Sequence, residues 1–217
     1  MAEHSWTFAP GWPGIPARWT SSAKSGLGTA VSRDSRVWFT LSHGILNEIY
    51  YPRVDHACTR DLGFIVTDGQ AFFSEEKRDA RSETLQVAPG IPAYRILNMA
   101  VDGRYRIEKE VLTDPWRDVV LQRVRFVPLQ GTLADFRLYV LLAPHLANRG
   151  SGNTAWVGDY KGAPMLFAER DHHALALAST APCRKTARGT SGSRDRAAAP
   201  VRHRSMYRLG AMAPCHR

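Results

Sequence analysis

Three observations predict an all-β protein built as an antiparallel β-sandwich. Two pairs of apolar runs each flank an Asp-Gly dipeptide: 62–67 and 71–73 around Asp68-Gly69, then 93–101 and 104–112 around Asp102-Gly103. Asp-Gly readily adopts the positive φ angles of a tight hairpin turn, so each pair reads as two neighbouring antiparallel strands. Residues 104–112 alternate strictly: Tyr105, Ile107, Lys109 and Val111 share one face, and Arg104, Arg106, Glu108 and Glu110 share the other. Only a half-buried strand explains that period of two. Finally, the one helical turn the sequence suggests, 74–81 with Ser74 as its cap, is too short to alter the class.

Taken in order, residues 9–30 are rich in Pro, Gly, Ser and Thr, with Pro10, Pro13 and Pro16 three apart, Trp12 and Trp19 among them and Trp6 just before. This composition predicts an extended arm. Its indoles have two open uses: stacking on sugar rings, or docking the arm on its own sandwich, which is favoured. The densest apolar stretch follows, WFTLSHGILNEIYYPRVD at 38–55. It predicts two buried strands joined at Ser42-His43-Gly44, with His43 as a turn residue, and a stop at Pro52, which lacks the donor a sheet interior needs. Arg53, Val54 and Asp55 then lie on a loop at the sheet's end. Tyr50 and Tyr51 are expected to face opposite sides, one ring in the core and one on the outer face. Further strands are expected at 119–127, 135–142, 155–157, 164–169 and 174–178, a series that fits two packed sheets.

Charge divides the chain. Of the formal net charge of +9, +8 lies in residues 181–217, leaving +1 for residues 1–180, and only Tyr207 of the aromatic residues falls in that tail. The body can build a core and the tail cannot. The basic balance therefore points to no specific nucleic-acid partner. The sequence predicts disorder for 181–217; its Arg, Ala, Gly and Pro content is also what a GC-rich frame yields when read out of phase. Cys58, Cys183 and Cys215 are expected to be free thiols. The amino terminus has neither the basic nor the apolar region of a signal peptide, and no run is long enough for a membrane helix, so the expected location as written is cytoplasmic with no membrane partner.

No local pattern of chemistry stands out. His43, His56, His145, His172 and His173 show no HxH or HExxH spacing, so neither metal nor other cofactor is expected. The Gly-rich run at 149–156 precedes an extended segment and lacks the helix start of a phosphate cradle. Glu48, Asp55, Asp61, Glu75 and Glu76 invite comparison with an acid and base pair. The simpler reading pairs Asp55 and Asp61 with Arg53 and Arg60 as surface ion pairs.

Long segments do carry a resemblance. PGIPARWTSSAKSGLGTA, SHGILNEIYYPRVD, ACTRDLGFIVTDG, FFSEEKRD, LTDPWRDVVLQ and LLAPHLANRGSGNTAWVGDYKGAPMLFAERD resemble the amino-terminal β-domain of bacterial glucoamylases and glucodextranases, glycoside hydrolase family 15. The resemblance covers residues 10 to about 180. It implies a supersandwich of the galactose-mutarotase type, incomplete in 1–180 because the family's domain is longer, followed by the tail 181–217. It also implies membership of an inverting glucan 1,4-α-glucosidase or glucodextranase whose two catalytic glutamates lie on an (α/α)6 helical barrel. No residue of this chain inherits them, so no catalytic residue is assigned. The implied partners are that barrel within the full-length enzyme and, through it, an α-glucan or oligosaccharide. Trp19, Tyr50, Tyr51, Arg53 and Trp156 are the candidates for contact with the barrel or with sugar. The competing reading is a stand-alone carbohydrate-binding or interaction module.

Overall fold

The computed structural model describes residues 19–150 and 152–181, together with the backbone of two short strands at 187–188 and 209–211. The chain runs β1 (Gly26–Thr29), β2 (Trp38–Ser42), β3 (Ile45–Tyr50), β4 (Thr59–Thr67), β5 (Phe73–Glu75), α1 (Glu76–Asp79), β6 (Ala80–Gln86), β7 (Tyr94–Ala100), β8 (Tyr105–Thr113), β9 (Val120–Pro128), β10 (Arg137–Pro144), β11 (Thr154–Tyr160), β12 (Ala163–Arg170), β13 (His173–Leu177), β14 (Ala187–Arg188) and β15 (Leu209–Ala211). One sheet has the order β1-β2-β3-β4-β10-β15-β14 with β5 also on β4, a second is β6-β7-β8-β9, and a third is β11-β12-β13. All pairings are antiparallel.

The first two sheets face each other. Phe39, Leu41, Leu46, Leu62 and Leu142 of the large sheet meet Ile96 and Val111 of the second. Farther along, Phe64, Val66 and Leu138 meet Ala100, Tyr105 and Ile107. The third sheet closes one end, where Leu166 and Ala168 pack with Cys58 and Leu146. The inner positions are the period-two positions of the strands, so binary patterning set the layers.

Both Asp-Gly hairpins form, β4–β5 and β7–β8, with Gly69 and Gly103 at positive φ. The β2–β3 turn also forms, with His43 at φ 51° and Gly44 at φ 72°. Glycine is required at 44, because a Cβ there would stand 2.0 Å from Asn98 Oδ1. Lys109, expected on the apolar face of β8, is indeed fully buried, and its ammonium lies 2.7 Å from the equally buried Glu76 carboxylate. Lys109 also donates to the Gly44 carbonyl, and Asn98 donates to Glu76 and to Gly44 O. The hairpin tip of one sheet is thereby tied to the other.

One expectation differs, and others gain detail. The helical turn is shorter than 74–81, and Ser74 does not cap it: Ser74 belongs to β5 and shares a 2.6 Å hydrogen bond with the Tyr105 hydroxyl. Strand β6 follows α1 without a gap; its short alternation, Ser82-Glu83-Thr84-Leu85, carries too few apolar residues to signal a strand. Part of the arm, Gly26–Thr29, is a strand at the sheet edge, where Gly28 leaves the space that the Phe39 ring fills. Within the segment whose composition predicts disorder, the backbone of β15 pairs with β10 and that of β14 with β15. The rest of 182–217 lies outside the described residues, as do Trp6, Trp12, Cys183 and Cys215.

Candidate functional site

The outer face of the large sheet is polar where strands β2, β3 and β4 meet. Phe39 and Leu41 point inward, so Trp38 and Thr40 point outward; the same alternation turns Asp61 outward beside inward Leu62. In β3 the register shifts: Phe39 faces Ile49 but Leu41 faces Leu46, so Asn47 and Glu48 together stand opposite Thr40. This β-bulge keeps Leu46 and Ile49 in the core and places two consecutive polar side chains on the outer face. The Thr59 hydroxyl repairs the disturbed ladder, donating to Asn47 O and accepting from the Ile49 N–H, both at 2.8 Å.

Two linked groups occupy this face. Glu48 accepts from Thr40 Oγ1 at 2.7 Å and pairs with Lys24 from the arm. Asp61 accepts from Asn47 Nδ2 at 3.0 Å and from Lys77 Nζ at 3.0 Å, with Arg60 Nε 3.3 Å away, and Thr20 of the arm receives both Asn47 and Lys77. Asp61 is therefore not the surface partner of Arg60 alone that the sequence suggests; its side chain is 16% exposed and held from three sides. His145, just beyond β10, is buried, and burial pushes its pKa down to about 4, aided by the nearby Arg60 charge and opposed by Asp61 and Glu48. It is neutral near pH 7. Trp19 lies edge-on to its ring at 4.7 Å and keeps 46% of its surface in solvent.

The two tyrosines do go to opposite sides. Tyr50, last residue of β3, sits on the outer face with Thr40 and Glu48, and its pKa is raised first by burial and then by the Glu48 charge. Tyr51 is already off the strand. Its ring packs on the Cys58–Leu146–Leu166–Ala168 cluster, Arg36 stacks over it at 5.2 Å, and its hydroxyl accepts from Arg36 Nη2 at 2.9 Å. Pro52 follows, and Arg53, Val54 and Asp55 are exposed as expected. Arg53 and Asp55 form a two-bond pair at 2.8 and 2.9 Å, which holds the Asp55 carboxyl below its usual range. Asn148 closes the loop by donating to Asp55 O and accepting from the Ala57 N–H.

Trp156 stands apart from the other four candidates. It lies on β11 and stacks on Phe167, directly across in β12, at 5.4 Å and 16°. Because Leu166 and Ala168 point inward, this stack is on the outer face of the third sheet. The structure thus brings Trp19 and Tyr50 to one polar face, sends Tyr51 to the opposite side, leaves Arg53 exposed on the loop after β3, and puts Trp156 on the third sheet. Sequence reasoning missed Thr20, Lys24, Asn47, Lys77 and His145. Their signal was the charged and amide residues interrupting an otherwise apolar stretch, Asn47-Glu48 and Arg60-Asp61. Chemically the face is built around ion-paired carboxylates. Every described carboxyl group with a displaced pKa, at Asp55, Asp68 and Asp79, is displaced downward, the opposite of a general acid. Among the described residues no group of three or more His, Cys, Asp or Glu is placed to hold a metal ion.

Comparison with known proteins decides the family. The family model described as glucodextranase, domain N, matches residues 9–210. The chain belongs to the glucodextranase domain N family. A glucoamylase of Clostridium sp. (strain G0005) is 40% identical over 167 residues, which cover 77% of this chain and 24% of that protein. The crystal structure of a bacterial glucoamylase complexed with acarbose superposes with a TM-score of 0.77 at 38% identity, covering 78% of this chain and 25% of the other. This domain N chain thus spans about a quarter of the length of the relatives it matches, and the shared part is the β-sandwich.

Proposed function

We propose that this chain serves as the non-catalytic amino-terminal domain of an α-glucan-hydrolysing enzyme of the glucoamylase and glucodextranase type. Its outer polar face and the Arg53–Asp55 loop form the side that meets the helical catalytic domain. The observation that carries this reading is the state of the outer-face carboxylates: Glu48 is engaged by Lys24 and Thr40, and Asp61 by Lys77, Arg60 and Asn47. Hydrolysis of a glycosidic bond requires one carboxyl kept protonated and another left available to a water or an anomeric carbon. Ion-paired carboxylates are suited to neither role. They are suited to holding a face rigid and polar, as contacts between domains of one chain commonly are. The α-glucan is then a substrate of the whole enzyme and touches this domain only at its border.

A chimera tests the reading. In the Clostridium glucoamylase, the segment matching residues 19–181 is replaced by this chain's residues. Glucose release within a few-fold of the parent supports the domain role, and a soluble, folded chimera with no activity contradicts it. The exposed Trp19 and the Trp156–Phe167 stack favour a second reading, a sugar-binding module. Retardation of the chain by soluble starch or dextran in affinity electrophoresis, abolished by Trp19→Ala or Trp156→Ala, is its expected signature.

A further inference from the structure

The loop after β3 and the start of β13 bring together two histidines that lie far apart in the sequence. His56 belongs to the loop whose backbone is closed on both sides of it, by His56 N to Arg53 O and by Tyr51 N to His56 O, each 3.0 Å. His173 opens β13, on the face that packs against Cys58, Leu146 and Tyr51 through its neighbours Leu175 and Leu177. Their ring centroids are 5.7 Å apart and their planes meet at 56°. Nδ1 of each ring is buried and has no hydrogen-bond partner. Buried imidazole nitrogens are ordinarily paired, so two of them left unpaired in neighbouring rings need an explanation.

We propose that His56 and His173 form a two-imidazole site for a divalent transition cation of the zinc class. Imidazole suits such ions, and with metal–nitrogen bonds of about 2.0–2.1 Å two rings on one ion place their centroids about 5–6 Å apart. The observed spacing falls in that interval without movement of either backbone. No third His, Cys, Asp or Glu completes the set among the described residues, so water fills the remaining positions. The charges around the pair balance: Asp55 is paired with Arg53 beside His56, and Arg170, directly across from His173, lies 3.4 Å from Asp171. An oxygen-seeking ion such as Ca2+ finds no carboxylate cage here. Occupancy ties the loop after β3 directly to the third sheet, which it otherwise meets through the packing of Tyr51 and Cys58. Short spacing is how a metal motif is recognised in a sequence, and this pair, 117 residues apart, is made by the fold.

Calorimetric titration of the full 217-residue chain with Zn2+ at pH 7.5 tests the proposal, with Ca2+ as the control ion. The expected result is a saturable Zn2+ event that is lost in His56→Phe and in His173→Phe, retained in His172→Phe, and absent with Ca2+. It weakens progressively toward pH 5, where protons compete for the same nitrogens. If either of the first two variants fails to fold, imidazole 15N spectra of the unmodified chain replace it, and Zn2+ should displace the Nδ1 signals of both His56 and His173. No Zn2+ event in the unmodified chain, persistence of the event in both variants, or displacement confined to other histidines overturns the proposal.

Discussion

Replacing Lys109 by Met removes the ammonium that neutralises Glu76 between the two facing sheets. Both side chains are fully excluded from solvent, 2.7 Å apart, and Lys109 also serves the Gly44 carbonyl of the β2–β3 turn. Met matches the volume and apolar stem of Lys, so the loss is electrostatic: a buried carboxylate without its counter-charge, which costs about 3–5 kcal/mol. With a urea slope of about 2 kcal/mol per M for a domain of this size, the midpoint should fall by about 2 M. The paired replacement Lys109→Met with Glu76→Leu should recover only part of this. Glu76 also accepts from Phe64 N at 3.2 Å and from Asn98 Nδ2, and each donor left buried and unpaired costs about 1–3 kcal/mol. The double-mutant cycle should still show a coupling above about 1 kcal/mol, because both single changes strand a charge. A loss below about 1 kcal/mol for Lys109→Met would refute the claim that this pair fastens the hairpin, and with it the rigid presentation of Glu48 and Tyr50.

Other outcomes follow from the site. Tyr51→Ala removes a half-buried ring and the Arg36 contact and should cost about 2 kcal/mol, part of the 3–5 typical of a buried aromatic, whereas Tyr50→Ala should cost under about 1; equal urea-midpoint losses would contradict the assignment of opposite sides. His145 gives a signed pH dependence. An unfolded imidazole binds a proton near pH 6.5 and the folded one only near 4, so stability is lost as pH falls from about 6.5 to 4 and is level below, by about 3 kcal/mol in all. His145→Gln should flatten that span in acid titrations followed by near-UV circular dichroism; an unchanged profile would show that His145 is not buried neutral. Gly44→Ala, with φ 72° and Asn98 Oδ1 in the way of a methyl, should cost more than about 1 kcal/mol in the same urea assay, and a neutral result would contradict the close approach at the turn.

Much of the fold was legible because strands announce themselves through period two. The clean alternation of 104–112 predicted β8 and even placed Lys109 inward, although nothing in the local sequence named Glu76 as its partner. The Asp-Gly turns gave both hairpins. Strand β6 was hidden because its edge-like sequence is mostly polar, and Ser74 was misassigned because a Ser before Glu-Glu-Lys-Arg looks like a cap until Tyr105 claims its hydroxyl. The site was harder to read. Tyr50, Tyr51, Arg53 and Trp19 could be picked out as aromatic or loop residues at a strand's end. The network around Asp61 could not, since it joins the arm, the bulge in β3, β4, α1 and the end of β10, elements that only tertiary structure gathers. The bulge itself leaves no mark in the sequence beyond two adjacent polar residues in an apolar run.

The most direct test of the domain reading is glucose release by the purified 217-residue chain. Incubated with maltooligosaccharides or dextran, it should liberate no glucose above the buffer rate, since its outer-face carboxylates are committed to ion pairs and none is poised as a general acid. Sustained release that co-purifies with the chain and disappears on replacing Glu48 or Asp61 would contradict the account at its centre.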